Sequence, residues 1–242
     1  MKARGYQKLK EFIVTQHPLE ATVSDFGEMV WDHNSQTVVV LSDTADEDYQ
    51  VFWPLKRADV EFENFRARFI DDHKFQLPAV GNHPAHPDEY VTQIEVAAPV
   101  IQDYYELRVP IFYCPSWPYR GAANPDLAAL FRLPKFVIDS HQQYQNGPVV
   151  VVDRFGGTEA ATLCALTTLV QQLSRDQHVD VYMYVKLYQS KRPNVWPSRD
   201  DYMFLYRCFE ALHHHLPVPH SANAPYFLQL ATATQWLCWR RF

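Results

Sequence analysis

The chain has few of the features that would identify a role directly. Glycine occurs only 7 times in 242 residues, whereas 17 prolines punctuate the sequence. The 22 basic residues are scattered and outnumbered by 28 acidic ones, for a net charge of −6, which excludes an electrostatic nucleic-acid binder. No apolar run approaches the roughly 18 residues of a membrane span, and no stretch reads as a secretory signal. The four cysteines (Cys114, Cys164, Cys208 and Cys238) stand far apart without a CxxC pair. That spacing argues against structural zinc and for reduced, buried thiols of a cytosolic protein. Apolar residues at 47% and charged residues at 21% are ordinary for a soluble globular chain. The length suits one large core, or a domain plus a tail.

The periodicities mix strands and helices. Ser24 to Asn34 is expected as a short helix with Ser24 as N-cap and Phe26, Met29 and Val30 on one face. Thr37 to Leu41 is a continuous run of the doubly buried strand type. Glu63 to Ile70 alternates, with Phe65, Ala67 and Phe69 on one face and Arg66 and Arg68 on the other. Val91 to Ala98 and Tyr104 to Phe112 also alternate and are placed to pair across a turn near Val100 to Asp103. After Gly147 comes a buried-type strand, Val149 to Val152, a Gly156-Gly157 break, and a helix to about Leu173 with Leu163, Leu166, Val170 and Leu173 as its inward stripe. Two more helices are expected. One carries Val181, Val185 and Tyr188 and ends before Pro193; the other carries Tyr202, Leu205, Phe209 and Leu212. Strands first and helices last describe an α/β domain over 1–212, with 213–242 as a C-terminal tail without clear period.

The segment from Pro148 to Ala160, a buried strand entering a helix through a Gly-containing loop, is the most site-like part of the chain. Loop amides and a helix N-terminus that converge on one spot make an anion cradle. The loop shape alone favours an ordinary strand-to-helix connection.

A series of ordered segments narrows this. Phe12-Ile13-Val14-Thr15-Gln16-His17-Pro18-Leu19, Asp25-Phe26 with Met29-Val30-Trp31 and Asn34, Thr37 to Leu41, and Phe52-Trp53-Pro54 come first. Cys114-Pro115-Ser116-Trp117-Pro118, Leu163 to Leu169, Val179-Asp180-Val181-Tyr182, and Arg192-Pro193 with Asp200 and Tyr202 follow. In this order and spacing, over roughly residues 6 to 212, the chain resembles the cytoplasmic domains of receptor-type protein tyrosine phosphatases, in particular their second, membrane-distal domain. The resemblance implies the phosphatase fold, a central twisted mixed sheet flanked by helices. It also implies that the usual first helices and the phosphotyrosine-recognition loop are missing, and Met1 to Gly5 match no part of the family pattern. A domain without those helices would need another segment to cover apolar surface.

In active members a Cys thiolate attacks phosphorus, and an Arg six residues later clamps two phosphate oxygens. The resemblance places Asp153 at the nucleophile position, Glu159 at the arginine position and Val152 at the preceding histidine, in a loop running through Arg154, Phe155, Gly156, Gly157 and Thr158. It places Tyr119 at the general acid and Pro197 and Asp201 at the two glutamines that position water. Two acids then replace one anion and one cation. A phosphate oxygen about 4 Å from either meets roughly 4 kcal/mol of repulsion per unit charge pair at an effective dielectric near 20. Arg154 could offset part of this if its side chain faced the pocket. A phenol is poorly matched to proton donation near neutrality, and Pro197 has no side-chain hydrogen bond to offer. Asp126, in a longer loop after Tyr119, is the weaker candidate for a displaced acid.

The expectation is therefore a catalytically inactive domain that regulates or docks to an adjacent active phosphatase domain, other receptor copies or signalling proteins. Its place would be the cytoplasmic side of the plasma membrane, in settings such as axon guidance. The alternative is a rewired hydrolase with Asp153 as nucleophile. Neither metal nor cofactor is expected. His213-His214-His215, with His220 nearby, reads as a helix end favoured by its dipole. Cys164 reads as a core thiol, Cys114 as strand or loop packing, and the four acids from Asp43 to Asp48 as an exposed loop without the glycine of a calcium site. Trp236, Trp239, Arg240 and Arg241 read as tail residues, the other reading being an interfacial anchor.

Overall fold

The computed structural model describes residues 1–6, 8–44, 49–54, 59–61, 66–74, 90–97, 106–115, 117–118, 129–144 and 147–215. In chain order these form β1 (Lys2–Ala3), β2 (Phe12–Gln16), α1 (Val23–Asp32), β3 (Val38–Val40), β4 (Val60–Glu61), β5 (Arg66–Lys74), β6 (Tyr90–Ala97) and β7 (Glu106–Tyr113). Helix α2 (Arg132–Tyr144), β8 (Val149–Asp153), α3 (Thr158–Asp176), α4 (Val181–Lys191) and α5 (Arg199–His215) complete the set. The sheet runs β1-β2-β8-β3-β7-β6-β5-β4. Its centre, β2-β8-β3-β7, is parallel, and the strands outside it pair antiparallel. This is the mixed sheet flanked by helices that the sequence predicts.

Strand β8 lies between two parallel neighbours, which explains its unbroken valines. Val149 and Val151 join Phe12, Val14, Val39 and the helices α2–α5 on one face; Val150 and Val152 join Val30, Trp53 and the β5–β7 side chains on the other. All four valines are buried, each contributing up to about 1.5–3 kcal/mol. Such a strand cannot alternate, because neither face is wet.

Several expectations shift. Helix α1 starts at Val23, after a 3-10 turn over Glu20–Thr22, so Ser24 lies inside the first turn and is not the N-cap. The start is fixed upstream: the Leu19 amide donates to Thr22 Oγ1 at 3.0 Å, and the Thr22 amide to the Leu19 carbonyl at 2.8 Å. Phe26, Met29 and Val30 do share the core face. Strand β5 begins at Arg66, continues beyond Ile70 to Lys74, and is irregular between Phe69 and Asp71. Strands β6 and β7 pair antiparallel as predicted. The turn at 100–103 and Phe65 lie outside the described residues.

Helix α2 has no counterpart among the expected elements. Its Pro134 sits in the first turn, where a missing amide costs no intrahelical bond, and Leu133 and Val137 anchor it in the core. Because α2 and β8 alternate with the helices, the chain is not simply strands first and helices last.

Helix α3 carries no narrow stripe. Every residue from Ala160 to Leu169 is buried. Its threonines are compatible with this because Thr162, Thr167 and Thr168 donate to the carbonyls of Thr158, Leu163 and Cys164, four residues back, at 2.6–2.8 Å. Cys114, Cys164 and Cys208 are buried thiols outside any disulfide among the described residues. Helix α5 continues through His215, three residues past the expected domain end.

Residues 1–6 cover one edge of the sheet. Strand β1 pairs with the outer edge of β2, Ala3 is buried, and Met1 packs against the main core. Lys191 Nζ and the Tyr188 hydroxyl donate to the carbonyls of Lys2 and Arg4, tying this edge to α4.

Candidate functional site

Parallel strands end together, and the loop leaving the C-terminal end of a central strand faces open space where helices diverge. Strand β8 ends there at Asp153, which pairs with Gln16 of β2. The loop Arg154–Gly157 then turns into α3. Gly156 adopts a left-handed φ of 63°, and a Cβ on it would stand 2.6 Å from the Gln16 amide nitrogen, so this turn needs glycine.

The expected convergence of amides exists, and its focus is the side chain of Asp153. Oδ1 accepts from the amides of Phe155 (3.0 Å) and Gly157 (2.8 Å); Oδ2 accepts from Gly157 (2.9 Å) and Ala160 (2.9 Å). The carboxylate is only 3% exposed. The expected pair of acids facing an incoming phosphate is thereby corrected in one respect. Asp153 does not stand at a mouth; it points back into the loop, because the amides offer a buried anion the hydrogen bonds it would otherwise lose. Glu159 is half-buried in the first turn of α3, and Thr158 Oγ1 donates to the Val195 carbonyl at 2.8 Å. Val152 is fully buried in β8.

Arg154 lies against two aromatic rings. It is exposed, its guanidinium 4.7 Å from the Tyr49 ring centroid and 5.6 Å from that of Phe155, itself 67% exposed. The cation that grips the loop is Arg192, at the end of α4. It donates through Nη1 to the Gly156 carbonyl and through Nη2 to the Phe155 carbonyl at 3.1 Å. The sequence holds a signal for it, the Arg192-Pro193 step that ends a helix, but nothing in the local pattern links that step to a loop 36 residues earlier.

Pro197 is exposed. Asp201 accepts from the Ser198 amide (3.3 Å) and hydroxyl (2.7 Å), while its own amide donates to Ser198 Oγ at 3.1 Å. This reciprocal pair caps α5. Trp196 Nε1 donates to Thr162 Oγ1 at 2.9 Å, which seats the 193–198 segment on α3. Trp117 is buried and its indole donates to the Leu130 carbonyl at 3.3 Å. Tyr119 and Asp126 lie outside the described residues, as do His220, Cys238 and the aromatic and basic residues of 236–241.

A second buried polar cluster adjoins the loop and carried no sequence signal. The His17 amide donates to the Asp153 carbonyl at 2.8 Å. A backbone carbonyl can only accept, so Nε2 donates to Gln50 O (2.9 Å) and Nδ1 accepts from the Ser42 hydroxyl (2.6 Å). Burial lowers the pKa of this imidazole, partly countered by the Gln50 bond. Within α3, burial first and the Asp153 charge second push the thiol of the fully buried Cys164 well up, which disfavours the thiolate a nucleophile needs. Among the described residues no group of His, Cys, Asp and Glu is arranged to hold a metal.

Residues 2–211 match the protein-tyrosine phosphatase family model. The chain belongs to the protein-tyrosine phosphatase family. It is 38% identical over 211 residues to tyrosine-protein phosphatase 99A of Drosophila melanogaster, covering 86% of this chain and 15% of that protein. It is 40% identical over 203 residues to the putative receptor-type tyrosine-protein phosphatase mosPTP-1 of Aedes aegypti (84% and 14%). With human receptor-type tyrosine-protein phosphatase zeta the identity is 37% over 213 residues (86% and 9%). This phosphatase-family domain thus has receptor-type relatives and spans about 15% or less of the length of each of these three. No described helix is long and apolar enough to cross a membrane.

Proposed function

We propose that this domain does not hydrolyse phosphotyrosine and acts as a regulatory or docking module, the second phosphatase domain of a receptor-type protein. Its partners would be an adjacent active phosphatase domain, other copies of the receptor, or signalling proteins, on the cytoplasmic side of the plasma membrane. The observation that carries this reading is the engagement of Asp153. Its two oxygens accept from three amides, that of Gly157 shared between them, so the carboxylate is turned into the loop and away from attack on phosphorus. Supporting it, Glu159 sits where the family pattern has a phosphate-clamping Arg, and Asp201, at a water-positioning glutamine, is held in the cap of α5.

The alternative, a rewired hydrolase with Asp153 as nucleophile, requires that carboxylate to leave its amides. The purified chain is expected to release no phosphate from an aryl phosphate or a phosphotyrosine peptide above a protein-free blank. Turnover that disappears in Asp153→Ala would establish the alternative.

A further inference from the structure

A buried carboxylate without a cation costs several kcal/mol unless its lone pairs are filled. Among the described residues Asp153 has no ion-pair partner, and backbone amides are its hydrogen-bond donors. The 156–157 peptide joins this anion to a cation. Its N–H end, on Gly157, donates to both oxygens of Asp153, and its C=O end, on Gly156, accepts from Arg192 Nη1. A trans peptide points N–H and C=O in opposite directions. The anion and the cation therefore grip one dipole from its two ends, each in the orientation Coulomb's law favours.

From this geometry we infer that Asp153 is a built-in anionic ligand of the phosphate loop, with Arg192 as its counter-clamp across the 156–157 peptide. The loop is closed to external oxyanions because its inward amides, those of Phe155, Gly157 and Ala160, already serve Asp153. This autoinhibitory contact deepens the non-catalytic reading above and gives it a cause besides repulsion. It also makes the loop's shape independent of any substrate, a property suited to a docking surface.

Two experiments test the occupancy without reading phosphatase activity, so a failure here is told apart from turnover of an aryl phosphate, which tests the functional reading. First, urea midpoints are measured for Asp153→Asn, Arg192→Lys and the double variant. The near-isosteric single changes keep the chain folded, and the expected result is clear non-additivity, since each spoils one end of the same dipole. Additive effects within error would overturn the inference. Second, Asp153→Ala and Asp153→Ala/Glu159→Gln are melted in sodium formate and in sodium chloride at matched ionic strength. Formate is expected to raise the midpoint of at least the double variant by several degrees more than that of the wild type, by refilling the vacated amides. Equal shifts in all three proteins, or a formate-specific shift in the wild type, would refute it.

Discussion

Gly156→Ala isolates the backbone geometry on which the loop depends, without removing any amide. The added methyl would lie 2.6 Å from the Gln16 nitrogen and 2.7 Å from the Thr15 carbonyl carbon, both backbone atoms of β2. Strand β2 is tied to β8 along its length, so it cannot withdraw alone. A left-handed φ of 63° costs an L-residue about 1 kcal/mol. Forcing a methyl into a packed site costs roughly 1–3 kcal/mol more. Together the loss is about 2–4 kcal/mol, against a total stability of about 5–15 kcal/mol for an ordinary domain. At about 2–4 °C per kcal/mol the melting midpoint should fall by on the order of 10 °C. Gly157→Ala is the matched control, because nothing lies within 4 Å of its Cβ position. It should fall within about 1 kcal/mol of wild type. Urea unfolding followed by tryptophan fluorescence, with both variants in parallel, measures the difference. If Gly156→Ala is no less stable than Gly157→Ala, the described contact between loop and β2 is wrong.

Removing the grip of Arg192 with Arg192→Ala should cost about 2 kcal/mol in a urea titration, since two charge-assisted bonds to loop carbonyls are lost. Arg192→Lys, with one point charge in place of a fork, should recover less than half of that. Burial lowers the His17 pKa in the folded chain, and burial together with Lys8 lowers that of His141. The unfolded chain therefore binds protons that the folded chain refuses once the pH drops below about 6.5. Stability should be fully present above that pH and decline through it, and the slope measured between pH 7.5 and 5.5 should flatten in His17→Gln. Asp153→Cys alone should yield no turnover of an aryl phosphate, because Glu159 still opposes a phosphate dianion; adding Glu159→Arg and Tyr119→Asp should raise the rate. Robust activity of the single variant would show that the charge at Glu159 does not matter.

Much of the scaffold was legible because periodicity reports burial. The four valines of β8, the alternation in β6 and β7, and the 3–4 spacing in α4 and α5 each predicted the element that formed. Local signals failed where neighbours decided the outcome. Ser24 is a good N-cap by residue type, yet the Leu19–Thr22 turn had already started the helix. In α3 an apolar stripe was expected, but between Ala160 and Leu169 the helix is buried on every side and has no wet face there. Helix α2 went unread although Leu133 and Val137 anchor it in the core.

At the loop, the sequence by itself determined the inventory: two acids, Asp153 and Glu159, and glycine at the turn. Only the tertiary structure decided the direction in which Asp153 points, that Arg192 and not Arg154 grips the loop, and that Asp201 caps a helix. Residue type fixes the charge available at a position. The free energy of burying that charge depends on which amides and cations the fold brings within about 3 Å, and those come from strands and helices distant in the chain.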